Sequence, residues 1–374
     1  MKILLLSDPA SSHTIKWARS FVENGLEVYI FGLPNFNSSI YKNHPNIQLY
    51  TLGFDDSIVK ANMGYISKLR YLKALPKVKE VIERLEPDIV HAHFATSYGL
   101  IGALSGFHPF VLSVWGTDIF EFPNKSFLHK ALMKYNFRRA DKILSTSHVM
   151  AAEARKYTDK EVEVTPFGID LNVFSPRQSE SLFDENDIVV GTVKALEKKY
   201  GIEYLIGAFK ILKDRYRDLP LKLLIVGGGA QGKYLKDLTE ELEVNHDTIF
   251  AGRVSYDRVP NYHNMLSVFV SLSGSESFGV AVIEASACEK PVVVSNVGGL
   301  PEVVEDGVTG FVVPPRDPGK AAEAIEKLIL DRDLQVKMGQ AGRERVKRLY
   351  DWDDSVKRMI NIYRGVLKVG EQLG

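Results

Sequence analysis

The chain has 374 residues, 45% of them hydrophobic and 25% charged, a globular composition long enough for two separate cores. Its 47 basic and 47 acidic side chains cancel, so no net field favours a polyanion, and nucleic acid is not an expected partner. A single cysteine, Cys288, cannot form an internal disulfide, and neither MKILLLSDPA nor any other stretch approaches the roughly 18 apolar residues that span a bilayer, so a cytoplasmic protein is expected.

Short apolar runs alternate with longer amphipathic ones, the pattern of parallel sheets covered by helices. KILLLSD, LEVYIFG, DIVHAHF, PFVLSVWG, KILSTS and EVEVTPFG read as the strands of a first half. After the first of them, HTIKWARSFVENG carries Ile15, Ala18, Phe21 and Val22 at helical spacing and stops at Gly25. The polar GIDLNVFSPRQSESLFDEND suits a linker, and the pattern then restarts with DIVVGTV, LKLLIVG, TIFAG, VFVSLS, PVVVSN and GFVVP. The fold class is therefore α/β, with two Rossmann-like doubly wound domains, 1–172 and 173–350, facing a cleft.

In the first half, HAHFA and VWGTD stand at strand carboxyl ends, where such sheets bind ligands. His91 and His93 alternate with Ala92 and so share a face, a spacing that also suits a metal, but no third ligand lies near. KSFLHKALMKYNFRRA places Lys130, Lys134 and Arg138 on one helical face with no acid in the stretch. Such a face is either the solvated side of a domain helix or a contact for an anionic surface.

In the second half, Gly227, Gly229 and Gly232 of LKLLIVGGGAQGKYL fit the dinucleotide fingerprint G-x-G-x-x-G, yet they follow the second strand of their unit. The next strand ends in Arg253 instead of an acid, which leaves only an NADP reading, and a lone fingerprint is weak. More specific is SGSESFGVAVIEASACEKPVVVSNVGGLPEVVEDGVTGFVVPP, in which seven residues separate Glu276 from Glu284. Ser277, Phe278 and Gly279 form the turn into a helix whose amides attract phosphate. Carboxylates flanking a phosphate cradle are placed to accept hydrogen bonds from sugar hydroxyls.

These residues resemble the retaining glycosyltransferases of family 4, which have the two-domain GT-B fold and include enzymes of polysaccharide biosynthesis. The E-x7-E spacing, KPVVVSNVGGLPEVVEDGVTGFVVP and the late YDWDDSVKRMINIYRGVL carry the resemblance, which is looser in the first half. It implies that 351–374 forms a C-terminal helix packing back towards the first domain. By the same resemblance Glu284 binds the ribose of a nucleotide-sugar donor, a UDP-sugar foremost, and Glu276 contacts the sugar near the reacting carbon. Lys194 and Lys199 are assigned to the diphosphate. They depart from the family's G-R and K-G pattern, since Lys194 takes the arginine position and Tyr200 stands between lysine and glycine. Gly228 lies in the family's glycine turn, and Arg253 and Val254 stand where members contact the base.

Trp115 occupies a position where members often carry histidine, which makes His93 or Asp118 the substitutes for that catalytic contact. The first loop lacks the family's paired glycines and offers Ser11, Ser12, His13 and Thr14 instead. The resemblance implies no cofactor and no metal. It also implies a glycan or lipid-linked acceptor and, because several members dock through the first domain, an anionic inner membrane face met by Lys125 to Arg139. An epimerase of the same architecture and a silent binding subunit are the alternatives.

Overall fold

The computed structural model describes residues 1–36, 38–42, 44–54, 70–178 and 180–373. Two compact units divide the chain, Met1–Thr165 with Val356–Gly374, and Pro166–Ser355. The crossings thus lie at Thr165 and Ser355, where the sequence puts them at 172 and 350.

The first unit holds β1 (Lys2–Leu6), β2 (Glu27–Pro34), β3 (Ile47–Phe54), β4 (Ile89–His93), β5 (Phe110–Val114), β6 (Lys142–Ser145) and β7 (Val162–Val164). They form one parallel sheet in the order β3-β2-β1-β4-β5-β6-β7. β1, β4 and β5 are covered on both faces, which is why β1 and β5 read as near-continuous apolar runs, while β4 buries His91 and His93 as well. β3 was not legible in the same way. It lies at the sheet edge beside β2 alone, and its IQLYTLGF alternates buried Ile47 with exposed Gln48. The helix Ser12–Glu23 buries Trp17, Ala18 and Phe21 against this unit, with Ile15 and Val22 at the margin. From Val356 onward the C-terminal helix belongs to the same unit. Its Tyr363 is fully buried, meets Phe21 edge-on at 5.6 Å and shares a 2.6 Å hydrogen bond with His91 Nδ1.

The second unit holds β8 (Ile188–Val193), β9 (Leu221–Val226), β10 (Thr248–Gly252), β11 (Val268–Ser271), β12 (Val292–Ser295) and β13 (Gly310–Val313). Their order is β10-β9-β8-β11-β12-β13, again parallel throughout. All six stand where the apolar runs put them. The start of the expected linker, however, is built into this unit. Ile169 and Phe174 are buried, and the Ile169 backbone exchanges hydrogen bonds with Tyr350 and Trp352 at 2.7 and 3.1 Å.

In both sheets the strand order reverses beside the first strand of the unit, between β1 and β4 and between β8 and β11. Chain leaving those two strands diverges to opposite faces and opens a crevice at their carboxyl ends. These two points set where each unit can hold a ligand.

Candidate active site

At the switch point of the second unit, Lys194 follows β8 and Glu276 follows β11. Their side chains meet, Lys194 Nζ lying 2.5 Å from Glu276 Oε2, with only 13% and 11% of the two side chains exposed. Glu276 Oε1 accepts from the Ser277 amide at 3.2 Å. The Tyr200 ring lies 4.5 Å from Lys194 Nζ and 5.0 Å from Lys199 Nζ, so the tyrosine that departs from the family pattern provides one aromatic face for both cations. Lys199 itself is exposed, and its carbonyl accepts from Gly274 N at 2.8 Å, tying its loop to the one that carries Glu276.

The Glu276 loop is fixed from below and from the side. Ser295 Oγ donates to Ser273 O at 2.6 Å in buried surroundings. Gly299 N donates to Glu276 O at 3.1 Å, and Gly298 adopts φ 51° so close that a Cβ there would fall 1.7 Å from the Glu276 carbonyl oxygen. Gly298 and Gly299 escaped assignment at the level of sequence, although a Gly-Gly pair ahead of a helix is the signal of a close backbone approach.

After Gly279, which supplies no capping side chain, the helix Val280–Ala287 begins and carries Glu284. Glu284 is 7% exposed, and behind it His263 Nε2 stands 3.5 Å from its Oε2. Phe278, a candidate for donor contact, turns its ring into the core against Phe167 and Tyr350 at 6.1 and 5.6 Å, so only its backbone is free for a ligand. Arg253 is exposed and Val254 half-buried after β10, and Gly228 lies beside Arg253, its Cβ position 3.5 Å from Arg253 Cβ.

The fingerprint glycines have a local cause. A Cβ at Gly227, where φ is 143°, would fall 1.9 Å from Lys194 O, and one at Gly229 would fall 2.4 Å from Leu196 O. Glycine is needed here because the turn after β9 packs on the loop after β8. Gly232 meets only Leu196 Cδ1 at 3.7 Å and opens the helix Gly232–Glu241. The match to a dinucleotide motif thus follows from loop packing around Lys194.

The first unit gathers a second set at its own switch point. Ser7, just after β1, bonds Thr14 Oγ1 at 2.7 Å and His93 Nδ1 at 3.0 Å. Trp115 tilts over His93, ring centroids 4.4 Å apart, and His13 meets the Trp115 ring edge-on at 5.7 Å. Burial lowers the pKa of all three imidazoles, His91 to about 3, His13 to about 4 and His93 well below the usual value. They are neutral near pH 7 and act as hydrogen-bonding groups, not cations. Ser11 is half-buried and Ser12 exposed at the start of the helix.

His91 is committed elsewhere. Its Nδ1 faces Tyr363 and its Nε2 shares a 2.8 Å hydrogen bond with Ser113 Oγ, so the His-Ala-His spacing does not present two free ligands. Asp118 is 1% exposed and accepts from the amides of Ala95, Gly116 and Trp115 at 2.8, 2.8 and 3.1 Å. Burial pushes its pKa up while those amides oppose the rise. Each hydrogen bond to a charged group is worth about 1.5–3 kcal/mol, so Asp118 holds the loop under Trp115 and offers no oxygen to a substrate directly.

Models of two glycosyltransferase families match the chain, "Glycosyl transferases group 1" over residues 175–345 and "Glycosyl transferase 4-like" over residues 2–147. An uncharacterized glycosyltransferase of Methanocaldococcus jannaschii is 28% identical over 92% of this chain and 95% of its own length. The N-acetyl-alpha-D-glucosaminyl L-malate synthase of Bacillus anthracis is 26% identical over 94% of this chain and 92% of its own. Among solved structures, HepE of Anabaena in complex with UDP shares the fold with a TM-score of 0.79 and 18% identity, covering 97% of this chain and 99% of that one. Two Rossmann-like units and matches to both halves lead to one assignment: the chain belongs to the family-4 type of glycosyltransferases with the GT-B fold.

Proposed function

We propose that the enzyme transfers a sugar from a UDP-sugar to a hydroxyl of a glycan or lipid-linked acceptor, with retention at the anomeric carbon, in the synthesis of cell-surface polysaccharide. The observation that carries this reading is the meeting of Lys194 and Glu276 at the switch point, with Glu284 on the helix that follows. Lys194 and Lys199 stabilise the departing diphosphate, aided by the start of the helix Val280–Ala287, so the proposed reaction uses no metal ion and no cofactor. The bond from the anomeric carbon to the phosphate oxygen breaks as the acceptor oxygen approaches from the same face. The acceptor's proton passes to the departing phosphate oxygen. Glu276 orients the sugar, and Glu284 accepts from the ribose hydroxyls.

The choice of uridine draws support from the similarly folded HepE, solved with UDP. An acetylglucosaminyl-transferring relative supports a hexosyl donor. A panel of UDP-, GDP- and ADP-sugars is expected to give thermal stabilisation and slow donor hydrolysis with a UDP-sugar. At a concentration one hundred times Kd, binding adds about 2.7 kcal/mol to stability. Stabilisation by GDP- or ADP-sugars alone overturns the uridine assignment.

The same reading places the enzyme at an anionic membrane surface. Among the described residues no helix is long and apolar enough to cross a membrane. The helix Phe127–Arg139 nevertheless leaves Phe127 81% and Leu128 57% exposed while it buries Met133 and Phe137. Lys134 and Arg138 join Arg155, Lys156 and Lys160, with Asp159 as the one acid, around a pocket of about 480 Å³. Each basic residue near anionic lipid contributes about 1 kcal/mol. Replacing Lys130, Lys134 and Arg138 by alanine removes about 3 kcal/mol and is therefore expected to lower the partition coefficient onto phosphatidylglycerol vesicles by about 100-fold at low salt. Donor hydrolysis should be unchanged. Equal sedimentation of both proteins removes this helix as the contact.

A further inference from the structure

His263 lies on the helix Val259–Met265 and is fully buried. Neither of its ring nitrogens has a hydrogen-bond partner. Its ring centroid is 5.5 Å from that of Phe269 and 6.2 Å from that of Phe174, an aromatic setting in which a phenylalanine would fill the same space without desolvating two polar atoms. Packing alone therefore gives no reason for an imidazole. The remaining neighbour does, because His263 Nε2 stands 3.5 Å from Glu284 Oε2.

We propose that His263 is a positioning residue for donor recognition. Its Nε2–H donates to Glu284 Oε2 and turns the carboxylate so that Oε1 accepts from the ribose hydroxyls. This inference rests on the assignment of Glu284 to the ribose. A carboxylate has acceptor sites on both oxygens, and tying one of them to a buried donor fixes the direction of the other. The 3.5 Å separation is longer than a formed hydrogen bond, and the terminal torsion of a glutamate is broad, so a small rotation of Glu284 closes it. The tautomer with hydrogen on Nε2 suits this contact. Glu284 is the more exposed partner and His263 the more deeply held one, which is the order expected when the second supports the first.

The test compares binding of UDP with that of its 2′-deoxy and 3′-deoxy forms by calorimetry, in the parent, Glu284→Gln, His263→Phe and His263→Gln. GDP and its deoxy forms are run in parallel. The parent is expected to prefer the ribonucleotide by tenfold or more over at least one deoxy form. His263→Phe should reduce that preference at least fivefold, while kcat at saturating donor stays within threefold of the parent. His263→Gln, which restores an N–H near the same place, should recover most of the preference. If His263→Phe keeps the parental ratio, or weakens UDP and both deoxy forms equally, His263 only fills space and the proposal fails. If Glu284→Gln itself leaves the ratio unchanged, the ribose assignment of Glu284 falls as well, an outcome distinct from failure at His263 alone.

Discussion

Glu276→Gln is expected to lower sugar transfer by about 10²–10³-fold, the scale of removing a placed electrostatic contact from an active site. It should leave UDP bound at least as tightly as in the parent. The two expectations differ because Lys194 has two claimants. Its Nζ lies 2.5 Å from Glu276 Oε2, and the same cation is assigned to the diphosphate. Glutamine keeps the size of the side chain but gives up the charge, so Lys194 can turn wholly to the phosphates while the sugar loses the carboxylate that orients it. Lys194→Ala has the opposite signature, with weakened UDP binding and little change for uridine. A pair this deeply set does not tolerate the loss of one member freely, since a buried charge left without its partner destabilises by about 3–5 kcal/mol. Thermal unfolding of both variants must therefore be measured beside initial rates and calorimetry. Transfer within threefold of the parent by a folded Glu276→Gln removes the carboxylate from the site.

How far the sequence reached depended on whether position along the chain or direction of the side chain carried the information. That Lys194 and Glu276 leave the sheet at the same edge follows from the doubly wound order, which sends the ends of β8 and β11 together, whereas the roles given to them came from the resemblance alone. Direction was not legible. Phe278 stands in the turn beside Glu276 but points into the core, and Asp118 stands beside Trp115 but spends its oxygens on the amides of Ala95, Gly116 and Trp115. His263 gave no signal at all, because its partner Glu284 lies on another helix and the pairing exists only once β11 has been laid between the two segments.

The same limit explains the dinucleotide fingerprint. A glycine pattern records where backbone approaches backbone or ligand, and it does not say which. At Gly227 and Gly229 the approaching atoms are the carbonyl oxygens of Lys194 and Leu196. Lys194 N also donates to Val226 O at 2.9 Å and Leu196 N to Gly228 O at 3.1 Å, so the two turns are laced together by their backbones. One consequence is that the cation of the site is positioned by a glycine turn that need not touch the nucleotide.

Gly298→Ala is expected to reduce transfer by about 100-fold while the protein remains folded, because displacement of a reacting group by about 1 Å can cost that much. Two effects act at this residue. Its φ of 51° lies in the left-handed region, where a side chain costs about 1–2 kcal/mol. In addition the new Cβ would fall 1.7 Å from the Glu276 carbonyl oxygen, which is backbone and cannot rotate aside. The loop that carries Glu276 must then shift, and the hydrogen bond from Gly299 N to Glu276 O at 3.1 Å is strained or lost. Gly307→Ala separates the two effects. Gly307 has a φ of 75° but nothing within 4 Å of its Cβ position, so alanine there carries the backbone cost without the collision. Thermal unfolding should fall in both variants, and transfer should collapse only in Gly298→Ala. If the two variants lose activity to the same extent, the close approach of Gly298 to Glu276 does not hold the carboxylate in place.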